Sequence, residues 1–211
     1  MIKAVIFDWN GVITDSLNLD HEIFLKLCAQ QKLKVPKSKS FFVSLYDSNI
    51  YYKLKSIGYK LSVKDNKDFM KHYMEGINRT LIFKEIKPLL KYLHKKYKIA
   101  LITSSHSKLV NTFFNIHNLH DFFDLKLTVE DARRKEQKIK ILLSKFNLTK
   151  DEIVYVGDTV GDIESCKSAG IKIIAVTWGY HGRGRLAKHN PDFIADKPQD
   201  IIKILAQMED S

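Results

Sequence analysis

Ile2-Lys3-Ala4-Val5-Ile6-Phe7-Asp8-Trp9-Asn10-Gly11-Val12-Ile13-Thr14-Asp15-Ser16 begins one residue into the chain. Its unbroken small-to-apolar run, Ala4 to Phe7, reads as a strand buried on both faces, as strands of parallel sheets are. The run delivers a carboxylate, Asp8, to its C-terminal end, and Gly11 follows three positions later. Open α/β sheets hold their ligands outside the C-terminal ends of their strands. The stretch therefore predicts a fold class and a place for chemistry.

Working outward, short apolar, β-rich runs recur at residues 99–102, 125–129, 153–156 and 171–176. Helix-like stretches at 85–95, 107–116, 139–146 and 162–168 alternate with them. Strands alternating with helices imply right-handed crossovers, hence a Rossmann-like parallel sheet with helices on both faces. Residues 17–81 break the rhythm with helix-like patterns such as His21 to Cys28 and Lys67 to Met74. The expected division is an α/β core of residues 1–16 and 82–211, interrupted by a helical insertion, 17–81.

The 211 residues are 45% apolar and 11% aromatic, enough for a substantial core. No apolar run approaches the eighteen or so residues of a membrane span. The first residues lack the charged, apolar and small-residue regions of a signal peptide. Cys28 and Cys166 lie far apart in helix-like segments, which suits buried thiols in a reducing compartment, so a cytoplasmic location is expected. The formal charge of +11 is spread over the chain without a basic arm or a basic-aromatic block. It reads as a lysine-rich surface, and no nucleic-acid or membrane partner is expected.

The chemistry-bearing residues fall at strand ends. Asp8 is a candidate nucleophile, because a carboxylate beside a cation can attack phosphorus or carbon and form a covalent intermediate. The run Ile153 to Val156 leads into Gly157-Asp158-Thr159-Val160-Gly161-Asp162. Asp158 and Asp162 are four apart, so a helix starting there turns both toward one point. With Asp8 they make an all-oxygen set suited to Mg²⁺. Asp162 also fits the simpler role of a helix N-terminal cap. Thr103 and Ser104 follow the run ending at Ile102 and offer a hydroxyl and backbone N–H donors for phosphate. The cationic run Arg133-Arg134-Lys135-Glu136-Gln137-Lys138 precedes a helix and can neutralise charge on a transferring group.

In this order, Phe7-Asp8-Trp9-Asn10-Gly11, Ile102-Thr103-Ser104, the Lys135 neighbourhood, and Gly157-Asp158 with Asp162 resemble motifs I to IV of the haloacid dehalogenase-like hydrolases. The nearest likeness is to the phosphoglycolate phosphatase and β-phosphoglucomutase branch, in which a small helical cap sits between motifs I and II. Thr177-Trp178-Gly179-Tyr180 also resembles that branch. The resemblance implies a Mg²⁺-dependent hydrolase acting on a small phosphorylated metabolite through an aspartyl-phosphate. It implies Asp8 as nucleophile and metal ligand, a metal-binding backbone carbonyl at Asn10, Asp158 and Asp162 as metal ligands, and Thr103 and Ser104 as phosphate binders. For motif III, counting back from Asp158 lands near Arg133 and counting forward from Phe123 lands near Lys135. Lys135 is preferred, with Arg133, Arg134 and Lys138 left open.

Asn10 departs from the family. Its phosphatases carry an aspartate there as general acid/base, and an amide cannot do that work at neutral pH. The sequence leaves open whether Asn10 abolishes turnover, is compensated by a group such as His21, or is an engineered change. One alternative is an impaired protein that keeps the site to bind phosphate. Another is a phosphonoacetaldehyde hydrolase-like enzyme, suggested by Trp9. That chemistry needs a Schiff-base lysine in the insertion, where Lys53 and Lys55 lie without the expected sequence context.

Overall fold

A computed structural model describes residues 1–209. Its centre is a six-stranded sheet of β1 (Ala4–Phe7), β4 (Lys98–Ile102), β5 (Leu125–Leu127), β6 (Ile153–Gly157), β7 (Lys172–Val176) and β8 (Phe193–Ala195). The spatial order is β5-β4-β1-β6-β7-β8, and every pairing is parallel. Five of these strands are the apolar runs expected from the sequence; β8, short and half-buried, is not among them.

Each core strand is apolar because both faces are covered. Val5 and Phe7 of β1 join one buried cluster, together with Leu90 of α5 (Ile86–Leu93), Phe113 of α6 (Ser107–His117) and Ile201 of α10 (Pro198–Glu209). Ala4 and Ile6 point the other way, toward Leu142 of α7 (Lys135–Phe146), Ile163 of α8 (Val160–Ala169) and Leu186 of α9 (Arg183–Ala187). The alternation follows from the two-residue period of a strand.

Between β1 and the second core strand lie α1 (Leu17–Gln30), α2 (Lys39–Ser44), α3 (Ile50–Ser56) and α4 (Val63–Gly76). A two-stranded antiparallel ribbon, β2 (Thr14–Asp15) with β3 (Leu81–Ile82), ties the two ends of this helical segment together. The ribbon is absent from the sequence expectations, since two-residue strands leave no periodicity. Among the described residues, no helix is long and apolar enough to cross a membrane. Cys28 and Cys166 are free and buried, and burial pushes the Cys28 thiol up to about 11.

Contacts with α8 and α9 help hold the helical segment in place. Arg185 of α9 grips Asp47 with two hydrogen bonds, of 2.9 and 2.5 Å. His181 accepts from the Val160 backbone N–H at 2.9 Å, so the neutral ring donates from Nε2 to the Val43 carbonyl at 2.7 Å. A Cβ on Gly161 would approach the Tyr46 and Ser48 carbonyl oxygens to 2.9 and 3.0 Å. The N-terminal turn of α8 thus passes close beneath that backbone.

Candidate active site

Parallel register brings three strand ends to one lip. Phe7 of β1 pairs with Leu101 of β4 on one side and Val156 of β6 on the other. The residues just beyond them, Asp8, Thr103 and Asp158, therefore collect where the strand order switches direction about β1, the place open α/β sheets reserve for ligands. One ligand oxygen from each of Asp8, Asp158 and Asp162 lies within 4.8 Å of the others.

The loop after β1 has to bend tightly to make this possible. Gly11 sits at φ +79°, and a Cβ there would come within 2.0 Å of Asp158 Oδ2. Glycine satisfies both demands. The Trp9 backbone N–H donates to Asp8 Oδ1 at 2.7 Å and fixes the carboxylate.

Lys135, the first residue of α7, reaches Asp8 Oδ2 at 2.5 Å and also bonds Asp162 Oδ1. Of the cationic run, Lys135 is therefore the member at the acidic cluster. Lys138 is buried one turn further along α7 and donates to the Thr103 carbonyl at 2.5 Å. Arg133 and Arg134 are not among the cavity-lining residues.

Asp162 serves two masters. Its Oδ2 accepts from the Thr159 N–H at 3.0 Å and from the Thr159 hydroxyl at 2.6 Å, completing a capping box at the start of α8. Its Oδ1 takes Lys135. The capping role and the acidic-cluster role coexist on separate oxygens.

Burial without full pairing sets the electrostatics. Burial raises Asp8 to about 6 against the pull of Lys135. Burial, then the charges of Asp162 and Asp8, push Asp158 well above the usual carboxylate range. Burial would raise Asp162 too, but Lys135 and the Thr159 hydrogen bonds outweigh it and hold that carboxyl low. One lysine thus faces three carboxylates. Asp158 Oδ2 accepts from the Tyr180 N–H at 2.7 Å, while Oδ1 is buried without a partner. Three buried carboxylates this close together, one with an orphaned oxygen, are a fit donor set for a hard divalent cation such as Mg²⁺.

A cavity of about 210 Å³ opens over the cluster, lined by Asp8, Asn10, Thr103, Ser104 and Lys135 below and by α1, α2, α3 and α4 above. The Thr103 hydroxyl accepts from the Ser105 N–H at 3.1 Å, and the Ser104 carbonyl accepts from Tyr51 of α3 at 3.3 Å. Tyr46, Ser48 and Asn49 also line the cavity, whereas the intervening Asp47 is held by Arg185. His21 is not a lining residue; its ring packs 5.4 Å from that of Phe42. Lys53 and Lys55 do not line the cavity either.

Asp20 is the residue that the sequence analysis missed. Its Oδ2 accepts from the Asn10 amide at 2.9 Å and from the Tyr180 hydroxyl at 2.5 Å. Burial raises its pKa despite these bonds. The available signal was a carboxylate in register with Ile23, Phe24 and Leu27, on the face of α1 that is otherwise apolar.

Comparison with known proteins agrees with this geometry. The family model described as haloacid dehalogenase-like hydrolase matches residues 5–176. The pyrophosphatase PpaX of Bacillus thuringiensis (strain Al Hakam) is 30% identical over 118 residues, covering 54% of this chain and 55% of its own. The chain thus spans about half the length of the curated relatives it matches. Among solved structures, the haloacid dehalogenase-like family protein SP0104 from Streptococcus pneumoniae superposes with a TM-score of 0.82 at 23% identity, covering 97% of this chain and 98% of that one. A predicted phosphoglycolate phosphatase from Haemophilus somnus 129pt gives 0.77 at 22% identity, with 97% and 98% covered. These two structures share the fold. With the family model spanning all four motif segments, the chain belongs to the haloacid dehalogenase-like hydrolases.

Proposed function

We propose that the protein is a Mg²⁺-dependent phosphatase of a small phosphorylated metabolite, working through an aspartyl-phosphate on Asp8. The supporting observation is the meeting of Asp8, Asp158, Asp162 and Lys135 at the C-terminal lip of the central strands, at the floor of a cavity. The names of a relative, a pyrophosphatase, and of a structural neighbour, a predicted phosphoglycolate phosphatase, point the same way.

In this reading Asp8 attacks phosphorus with the oxygen not held by the Trp9 N–H. The Thr103 hydroxyl and the backbone N–H of Ser104 hold the phosphoryl oxygens, and Lys135 offsets the repulsion between the two anions. Asp8, Asp158, Asp162 and the Asn10 backbone carbonyl are the residues that would hold Mg²⁺. When bound, the ion supplies charge neutralisation and orients the phosphoryl group. Residues 17–81 act as the cap over a core of 1–16 and 82–211, covering the site against water.

Asn10 supports a second reading, in which the site binds phosphate without sustained turnover. General acid/base help is worth roughly 10²–10⁴-fold, and the amide side chain supplies none. Hydrolysis of p-nitrophenyl phosphate with and without Mg²⁺, with Asp8→Ala as control, separates the two. Sustained turnover that needs both Mg²⁺ and Asp8 supports the phosphatase. A single burst that stalls, or no product, leaves a phosphate-binding site.

A further inference from the structure

The wall of the cavity above Asp8 narrows the leaving group. It is built from four helices and the chain between them, and its upper part is Phe24, Tyr46, Ile50, Leu54, Tyr59 and Phe69. Among the described residues, Lys135 is the one lysine or arginine that lines it, and Asp8 and Asp162 already engage that ammonium. His106 also lines the cavity, but Glu130 takes its Nδ1 at 2.9 Å. The remaining charges on the wall are the carboxylates Asp20 and Asp65. In a chain of net charge +11, the leaving-group side of the cavity offers no cation. A carboxylate or a second phosphate placed there would be buried unpaired and repelled, a heavy penalty.

A second, independent observation concerns the chemistry of departure. Asn10 cannot protonate the oxygen that leaves. An alkyl alcohol holds its proton about as tightly as water, near 15.7, and an alkoxide leaves poorly. A phenol ionises near 10, as tyrosine does, and its anion departs without an acid. Size points the same way. An apolar cavity of about 150 Å³ holds benzene, so a cavity of about 210 Å³ has room for a six-membered ring above the acidic cluster.

We propose, resting on the phosphatase reading above, that the substrates are phosphate monoesters of uncharged, single-ring phenols, with the ring seated against the aromatic and aliphatic wall. As the Asp8 oxygen bonds to phosphorus, the ester P–O bond breaks and the phenolate leaves, taking a proton from water. Water then displaces the Asp8 carboxylate from phosphorus and gives up a proton. The net change is ester plus water to phenol plus inorganic phosphate.

Binding and turnover test this separately. By calorimetry on the whole chain with Mg²⁺, phenylphosphonate is expected to bind at least about tenfold more tightly than phosphonoacetate or methylenediphosphonate, a difference of about 1.4 kcal/mol. These three analogues cannot be hydrolysed at their P–C bonds, so leaving-group reactivity does not enter. The kcat/KM values for phenyl phosphate, phosphoglycolate and pyrophosphate are expected to follow the same order. Leu54→Lys, which adds a cation to the wall, should narrow or reverse the binding preference. Equal or tighter binding of the two anionic analogues, with turnover of phosphoglycolate or pyrophosphate, overturns the aryl specificity and leaves the phosphatase standing. No turnover of any ester overturns the phosphatase reading and the substrate class with it.

Discussion

The side-chain amide of Asn10 donates to the carboxylate of Asp20 across 2.9 Å, joining the loop after β1 to a buried carboxyl on α1. Tyr180 donates to the same Asp20 oxygen, and the Ser16 hydroxyl lies 3.0 Å from the Tyr180 hydroxyl. Asn10 Oδ1 is buried and has no partner. The amide is therefore oriented by its nitrogen, and its oxygen accepts nothing within the protein. Asn10→Asp should raise phosphatase kcat by more than about tenfold, the conservative end of acid/base help. The gain should be larger for alkyl than for aryl esters, because alkoxides need the proton more. An unchanged kcat on an alkyl phosphate would show that residue 10 does not limit turnover. The same change sets a second carboxylate against Asp20 and removes a donor, so stability should fall by about 1–3 kcal/mol in denaturant titration. Adding Asp20→Asn should recover part of that loss.

The crowding of three carboxylates around one lysine predicts a measurable response to metal. An ion bound to the folded state alone stabilises by RT ln(1 + [L]/Kd), about 1.4 kcal/mol at tenfold excess over Kd. For a chain of this size that is a rise of about 3–6 °C in Tm. Mg²⁺ should produce such a rise in the protein and little in Asp158→Asn, which loses the orphaned Oδ1 donor. Without Mg²⁺, Asp158→Asn should match or exceed the parent in Tm, since it removes a buried like charge that Asp8 and Asp162 oppose. Equal Mg²⁺ shifts in the two proteins would place the ion elsewhere.

Gly11 offers a sharper structural test. Its φ of +79° disfavours any L side chain, and a Cβ would lie 2.0 Å from Asp158 Oδ2 and 2.9 Å from the Tyr180 ring. Gly11→Ala should cost at least about 1–3 kcal/mol from backbone strain alone, with more from the displaced carboxylate. Activity should drop together with the Mg²⁺-induced rise in Tm. Gly184, where a Cβ meets nothing within 4 Å, is the matched control: Gly184→Ala in α9 should be neutral or stabilising.

What the sequence made legible follows burial. β1, β4, β6 and β7 are near-continuous apolar runs because both sheet faces are covered, and such runs stand out in any register. β2, β3 and β8 are two or three residues long and partly exposed, so they carry no pattern. α7 starts at Lys135, four residues before its apolar periodicity does, because its first turn is wholly polar in sequence even though Lys138 is buried there. Asp8, Asp158 and Asp162 were legible as acids following buried strands beside glycine. Asp20 was not, because a single acid within a helix resembles a surface residue until the partner elements are known. The cavity wall was illegible for the same reason: which faces of α1 to α4 meet over Asp8 depends on their packing, and periodicity within one helix does not specify it.

Glu130 ties the start of α6 to acid stability. Both of its carboxylate oxygens accept from the Ser107 N–H, the first backbone donor of α6, at 3.3 and 3.1 Å, and one also takes His106 Nδ1. Burial would raise this carboxyl, but hydrogen bonds from Thr128, His106 and the backbone outweigh it and hold the pKa at about 2. The folded-state value lies below the ordinary 4.5, so the folded protein binds fewer protons than the unfolded chain between them. Stability from this group is complete above about pH 4.5 and declines as pH falls toward 2. The side chain is 47% exposed and screened by solvent, so the contribution is that of a surface cap at a helix start, about 0.5–1 kcal/mol. Glu130→Gln should lower stability by that amount at pH 7, and the gap from the parent should close as pH is lowered from 4.5 to 2. Because α6 follows directly from Thr103 to Ser105, the same variant should raise KM for phosphate esters more than it lowers kcat. A gap in stability that stays constant across that pH range would show that Glu130 acts through packing, with its charge contributing nothing.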